Sequence, residues 1–145
     1  MVTFAEIRAA IDTQISTISG FVRSKYPADY IARNAKTLSH LGYAIDIQSS
    51  QSIGNRQRRP VAVMLSTFVR VVYAYRLRPL QIYPTDYDLA LDTEKNVILQ
   101  VLKSYKSIQS GIQIKYNRSD RRFTNSLEYL IIDLQFSIIH SINSE

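Results

Sequence analysis

The sequence predicts an α+β domain in which helices pack on a mainly antiparallel sheet of four strands, in the order α-β-β-α-β-β. Two segments repeat apolar residues every three or four positions, which is typical of helices, and four segments alternate apolar and polar residues, which is typical of strands. The 145 residues contain no internal repeat and no linker. We therefore expect one domain over residues 1–145.

The first helix is expected over residues 3–19. Thr3 and Glu6 have the spacing of a capping box, in which each side chain satisfies a free backbone N–H at the helix start. The apolar stripe of this helix consists of Phe4, Ile7, Ile11, Ile15 and Ile18. Gly20 is expected to end it. Residues 21–41 leave two alternatives open, a short helix from Pro27 to Leu38 or an irregular arm.

Two strands follow the first helix. Residues 43–48 alternate in the manner of a half-buried strand. A polar, basic loop is expected from Ser49 to Arg59, followed by a strand over residues 61–77. Because this second strand is longer than the usual strand, we expect it to be bent or to extend past the body of the domain.

The second helix is expected from residue 85 or 86 to residue 105. Aspartates near its start and lysines near its end match the helix dipole. Its predicted inner face consists of Leu91, Glu94, Ile98, Val101, Leu102 and Tyr105. If this helix makes a right-handed crossover, the strands at 61–77 and 112–117 run parallel.

The chain is expected to end with two more strands. The first alternates Ile112, Ile114 and Tyr116, and the last covers about residues 127–141. A second basic loop, residues 117–123, is expected to join them. The two basic loops would then emerge at opposite ends of the sheet.

Composition argues against several classes of function. The chain has no Cys and two His, so disulfides and thiolate metal sites are excluded and a histidine metal site is hard to assemble. His140 is expected at the edge of the core. Asp86, Asp88 and Asp92 suit a divalent ion, but compensation of the helix dipole is the simpler explanation. Four glycines cannot supply the phosphate-binding or nucleophile-elbow motifs. We expect no enzyme and no cofactor.

Neither a long apolar run nor a signal-peptide pattern occurs in the sequence, so we expect a soluble protein made inside the cell, without a membrane partner. The charge is unusual, with 18 Lys and Arg against 12 Asp and Glu and a net charge of +6. Two arginine groups stand out in the expected basic loops: Arg56, Arg58, Arg59, Arg118, Arg121 and Arg122. Such arginines either contact phosphates without reading bases or are solvated loop charge.

Tyrosines are also concentrated near the junction between the long strand and the second helix. The chain has ten Tyr and no Trp. Because Tyr and Arg are enriched in protein–protein contacts, this group favours an assembly surface. The candidate interface residues are Arg70, Tyr73, Tyr75, Arg76 and Tyr83. Packing in the core and hinge is the alternative for each tyrosine.

The whole arrangement resembles a known family. The first helix contains Glu6-Ile7-Arg8-Ala9-Ala10, the long strand ends near Tyr75-Arg76-Leu77, and Arg121-Arg122 precede an aliphatic final strand. In element order and length the chain resembles the tail terminator, or tail completion, proteins of long-tailed double-stranded DNA bacteriophages. It is also similar to the related neck and head–tail joining proteins that share this fold.

The resemblance implies a structural role without chemistry. Six copies would form a ring at the tail–neck junction of the virion, cap the tail tube, end tail elongation and connect the tail to the head. The implied partners are further copies of the chain, the tail tube protein below, the neck or head-completion protein above, and double-stranded DNA that passes through the lumen without sequence specificity. The subunit would be made in the bacterial cytoplasm. The alternative is a stand-alone basic nucleic-acid-binding protein.

Overall fold

A five-stranded mixed sheet forms the centre of the fold. The computed structural model describes residues 3–23, 38, 40–52, 62–77, 85–104, 113–124 and 129–143. Within these residues the elements are α1 (Phe4–Ser16), β1 (Val22–Arg23), β2 (Gly42–Ser52), β3 (Ala62–Arg76), α2 (Thr85–Lys103), β4 (Gln113–Phe123) and β5 (Tyr129–Asn143). The predicted α+β class is therefore confirmed.

The strand order corrects the predicted sheet in part. The order is β1-β2-β3-β5-β4, in which β1 pairs parallel with β2 and the other pairs are antiparallel. The four predicted strands form the antiparallel part. The prediction missed β1, whose two residues pair with Gly42 and Tyr43. Because β5 lies antiparallel between β3 and β4, these two strands run parallel to each other, as expected for a crossover through α2.

Helix α1 begins with the predicted capping box. The Thr3 hydroxyl accepts a hydrogen bond from the backbone N–H of Glu6 at 3.1 Å, and the Glu6 carboxylate accepts one from the Thr3 N–H at 3.2 Å. The helix ends at Ser16, earlier than predicted. The chain then turns through Gly20, whose backbone φ of 90° is one that residues other than glycine rarely adopt.

The inner face of α2 agrees only in part with the predicted one. Its buried side chains are Ala90, Glu94, Val97 and Val101. Ile98 and Leu102 are only partly buried against the core. Glu94 and Val101 are therefore buried as predicted, whereas Ala90 and Val97 are buried in place of Leu91 and Ile98. The predicted inner-face residue Tyr105 lies outside the described residues.

The sheet is covered on both faces over part of its length. Val71 and Tyr73 of β3 pack with α1 and α2 on one side, which we call the helix face. A smaller cluster on the other side, the outer face, contains Leu38, Ala44, Val72, Ala74, Tyr129 and Ile131. As a result, consecutive residues of β5 from Tyr129 to Leu134 are all buried.

The second predicted basic loop is a strand. β4 extends from Gln113 to Phe123 and includes Arg118, Arg121 and Arg122, which are paired along β5. The loop prediction for residues 117–123 was therefore wrong, because strand pairing with β5 holds this polar segment extended. The first predicted basic loop also begins later than expected, because β2 continues to Ser52. Its arginines, Arg56, Arg58 and Arg59, lie outside the described residues. Pro27 and Tyr83 also lie outside them.

Candidate interaction surfaces

β4 is a basic strand at the edge of the sheet. It carries four cations and one carboxylate, a net charge of +3 in 11 residues. The whole chain has a net charge of +6, so half of it lies on this strand. A register shift between Tyr116 and Arg118 marks a bulge, and most side chains of the strand are exposed. Charged residues and bulges at an edge oppose the pairing of that strand with a strand of another molecule. A partner molecule would therefore contact the side chains of β4 rather than its backbone.

The three arginines of β4 lie in different environments. Arg118 and Arg122 pair with Gln135 and Ile131, positions of the outer face. Arg118 is 66% exposed in its side chain and forms an ion pair of 3.5 Å with Asp120. Arg121 instead lies on the helix face and contacts α2. The sequence grouped these arginines correctly as neighbours, but alternation along the strand separates their side chains.

Arg121 binds a buried carboxylate. Its guanidinium donates to Oε2 of Glu94 from Nη2 at 2.5 Å and from Nε at 3.1 Å, and Glu94 is only 4% exposed. Nearby, the hydroxyl of Tyr73 and Oε1 of Glu94 are buried and have no hydrogen-bond partner within the described residues. Burial, followed by the charge of Glu94, raises the pKa of Tyr73. This polar cluster links α2 to the sheet.

Tyr73, an interface candidate from the sequence, has an exposed fraction of 0%. Its ring packs edge-on against Phe21 with ring centroids 5.3 Å apart. The structure therefore places Tyr73 in the core of the subunit, which is the alternative that the sequence left open. Its side chain offers no surface to a neighbouring molecule in this conformation.

Arg70, a second interface candidate, is held within the outer face by carboxylates. Its Nε lies 3.1 and 3.0 Å from the two carboxylate oxygens of Asp133, and its Nη1 lies 3.9 Å from Asp46. The hydrogen bonds with Asp133 raise the pKa of Arg70 against the effect of burial. Because both Arg70 and Asp133 are mostly buried, this pair belongs to the structure of the sheet.

The remaining described interface candidates, Tyr75 and Arg76, lie at the end of β3 beside His40. The backbone N–H of Arg76 donates to Nδ1 of His40 at 3.0 Å, and the rings of His40 and Tyr75 meet edge-on with centroids 4.9 Å apart. Burial and the neighbouring Arg76 charge lower the pKa of His40. Tyr75 is half-buried and Arg76 is exposed, so this end of β3 reaches the surface.

His140 is a buried residue of the core. Its Nε2 lies 2.6 Å from the Thr67 hydroxyl, which lies 2.8 Å from the hydroxyl of Ser50. The ring of Phe4 contacts the imidazole edge-on at 5.7 Å. This chain of contacts crosses β2, β3 and β5 and fixes the position of α1 at this end of the sheet.

A groove opens between the end of α1, the first half of α2 and the ends of the strands. Its volume is about 280 Å³. The apolar walls are formed by Ile18, Phe21, Leu41, Tyr75 and Leu89, and the polar rim by Ser19, Asp92, Thr93 and Asn96. We call this feature the α1–α2 groove. The sequence analysis missed it, because its walls come from four separate segments of the chain, and only the tyrosines near the end of β3 gave a signal.

Other kinds of site find no counterpart among the described residues. No group of three or more His, Cys, Asp or Glu side chains is placed to hold a metal ion there. No helix of that part of the chain is sufficiently long and apolar to cross a membrane. Asp88 and Asp92 are exposed on α2.

No model of a known protein family matches the chain, and no curated protein matches its sequence.

Proposed function

We propose that this protein is the structural subunit of a homo-oligomeric ring of the tail terminator type, with six copies closing around a lumen. In this role it caps a phage tail tube, ends tail elongation and connects the tail to the head or neck. The subunit acts through its surfaces and needs no cofactor. Its partners are its own copies, the tube protein below and the neck protein above.

The observation that carries this proposal is the order of the elements. α1, the β2–β3 pair, α2 and the β4–β5 pair follow the order on which the resemblance rests, with β1 added at the edge. The two central strands, β3 and β5, each have 15 residues and pair along their whole length. A stiff, continuous sheet of this kind suits a subunit that must keep its shape between neighbours.

The basic strand supports the expected passage of DNA. In the proposed ring Arg118 and Arg122 on the outer face are the cations offered to phosphate groups or to acidic neighbours, whereas Arg121 is engaged with Glu94. Contacts of this type are sequence-independent and weaken as salt rises. Arg56, Arg58 and Arg59 remain further candidates for the same role.

A stand-alone nucleic-acid-binding protein is the second candidate, because half of the net charge lies on one exposed strand. Titration of duplex DNA with the purified protein across a salt series separates the two functions. The ring function predicts weak binding that disappears near physiological salt.

The matched variants are Arg118→Ala/Arg122→Ala, on the accessible outer face, and Arg8→Ala, on the exposed side of α1. Tight binding that persists at physiological salt, and that the β4 variant loses while the α1 variant keeps it, would favour the stand-alone binder and contradict the ring.

A further inference from the structure

We propose that the outer face of the sheet binds a single-stranded nucleic acid, with phosphates along the cations of β4 and a base stacked on Phe68 of β3. The strand order places β5 between these two strands, so the site spans β4, β5 and β3. It is complete within one subunit. The inference therefore goes beyond the proposed ring and does not depend on it.

The half of the outer face that contains Phe68 is open. Toward one end of the sheet the face is covered, and Val72 and Ala74 are buried there. Toward the other end, the outer-face residues of the two central strands are partly exposed: Met64, Ser66, Phe68, Ser137 and Ile139. Among the described residues, Phe68 belongs to neither core cluster. This half of the face is therefore a flat, partly apolar surface that a ligand can reach.

Small side chains flank Phe68 along its row of the sheet. Phe68 pairs with Ser49 of β2 on one side and with Ser137 of β5 on the other. Ser137 pairs in turn with Lys115 of β4. Because serine side chains are short, they leave part of the phenyl ring accessible, in agreement with its partial exposure. An accessible aromatic ring is a platform on which any base can stack, since every base has a π-face.

Cations follow the same face of β4. Lys115, Arg118 and Arg122 are exposed and pair with outer-face positions of β5. Side chains on one face of a strand recur about every 7 Å. Lys115 and Arg118 lie in neighbouring rows, and Arg122 lies two rows beyond Arg118. A straight row of cations suits an extended, single-stranded phosphate backbone, whereas the backbone of a duplex curves away around its axis.

The carboxylates of the outer face are engaged by arginines. Arg70 binds Asp133 and lies 3.9 Å from Asp46. Asp120 forms its ion pair with Arg118 at 3.5 Å. The four successive outer-face positions of β4 that pair with Ser137, Gln135, Asp133 and Ile131 therefore carry three cations and one carboxylate, a net charge of +2. A positive edge borders the platform, and it complements a polyanion.

The position of Phe68 favours a single strand over a duplex. In a duplex only the edges of the bases are exposed in the grooves, so the phenyl ring has no base face to stack on. β3 lies two strand spacings from β4, about 10 Å. A nucleotide whose phosphate contacts Lys115 spans this distance when its base is turned toward the sheet.

Fluorescence anisotropy tests the site with labelled oligothymidylate and with a duplex of the same length, about 12 nucleotides. We expect the single strand to bind roughly fivefold or more tightly than the duplex, because only the single strand can stack a base on Phe68. An oligouridylate of the same length tests the effect of the 2′-hydroxyl group. Preference for either single strand over the duplex supports the proposal, and equal or tighter binding of the duplex overturns it.

The stacking contact is tested by Phe68→Leu, which keeps an apolar side chain and removes the aromatic ring. The matched control is Phe123→Leu, the same change at an exposed phenylalanine of the helix face. We expect Phe68→Leu to weaken binding of the single strand by roughly fivefold or more, and Phe68→Tyr and Phe123→Leu to change it by less than about twofold. Equal effects of the two leucine variants would overturn the stacking contact.

The phosphate contact is tested by Lys115→Gln, with Lys95→Gln on the exposed side of α2 as its control. Both changes lie at the surface, so this arm does not depend on the folding of the Phe68 variants. We expect Lys115→Gln to reduce the slope of log affinity against log salt by about 0.7, the value for one phosphate contact on a single strand. Equal slopes in the two variants would overturn the contact.

The outcome for the site is separable from the outcome for the ring when light scattering is measured on the same samples. A monomer that binds the single strand as described supports the site and contradicts the ring. A ring that shows no preference for the single strand overturns the site and leaves the ring intact.

Discussion

Two buried tyrosines on the helix face provide a matched pair for testing the core. The Tyr43 hydroxyl donates a hydrogen bond to the Asp12 carboxylate. Burial and this hydrogen bond raise the pKa of Tyr43. The Tyr73 hydroxyl is buried without a hydrogen-bond partner in the described residues. A buried polar group in that state lowers the stability of the fold.

We therefore expect Tyr73→Phe to keep or increase the free energy of unfolding, by up to about 1 kcal/mol, and Tyr43→Phe to lower it by about 1 kcal/mol. Urea denaturation of the two variants checks this difference. A loss in Tyr73→Phe as large as that in Tyr43→Phe would show that the Tyr73 hydroxyl has a stabilising partner.

His40 is expected to make stability depend on pH. Burial and Arg76 lower its pKa below the ordinary value of 6.5, so the unfolded chain binds a proton at a higher pH than the folded chain does. Stability should therefore fall as the pH decreases from about 6.5 toward the folded-state pKa of His40. Stability falls in this direction because the folded protein disfavours the protonated, charged form of His40.

The variant His40→Asn isolates this effect, because an amide oxygen can still accept from the Arg76 N–H and His140 is unchanged. We expect the melting temperature of the native chain to drop more between pH 7.5 and pH 5.5 than that of the variant. Equal drops in the two proteins would remove His40 as the cause.

At the scale of elements, the contact between Arg121 and Glu94 joins α2 to β4. The carboxylate is 4% exposed, and both its hydrogen bonds to Arg121 end on Oε2. Removing one partner of a buried ion pair leaves an uncompensated charge. We expect Arg121→Ala to lower the free energy of unfolding by about 2–4 kcal/mol.

The control is Arg122→Ala, the next residue of the same strand, which lies on the exposed side and should change stability by less than about 0.5 kcal/mol. Chemical denaturation of both variants, together with Glu94→Gln and the double variant, gives the coupling between the two side chains. Additive losses from Arg121→Ala and Glu94→Gln would contradict a direct contact.

The elements that the sequence predicted are those with their own periodicity. The capping box of Thr3 and Glu6 and the alternation of β5 are local patterns, and both appear in the structure. β1 could not be found in this way, because Val22 and Arg23 become a strand only through pairing with distant Gly42 and Tyr43. Its extended conformation is a tertiary effect.

β4 and α2 show two further limits of local patterns. Most side chains of β4 are exposed, so its second half shows no apolar alternation and its Asn, Arg and Asp residues are typical of loops. In α2 the sequence placed Glu94 on the inner face, but it does not show that Arg121 neutralises this carboxylate or that Ala90 and Val97 are buried beside it. Neither effect is visible before the strand and the helix are placed together.

At the scale of the whole molecule, the sequence predicted the charge but not its arrangement. The sequence grouped Arg118, Arg121 and Arg122 as neighbours, yet only the pairing of β4 shows that Arg121 is engaged with α2. Conversely, the α1–α2 groove depends on contacts among α1, α2 and the strand ends. A surface built from distant segments can be recognised only once the fold is known, whereas a run of like charges can be recognised in the sequence.

The proposed function is also tested at the scale of whole molecules, because a ring consists of several copies of the chain. Six copies of a 16.7 kDa chain have a mass of about 100 kDa. Light scattering of the purified protein over a wide concentration range measures this mass directly. The account predicts a species of about 100 kDa and no larger one, because a closed ring does not add further copies. On dilution this species should dissociate. A stable dimer, or a monomer at every concentration, would contradict it.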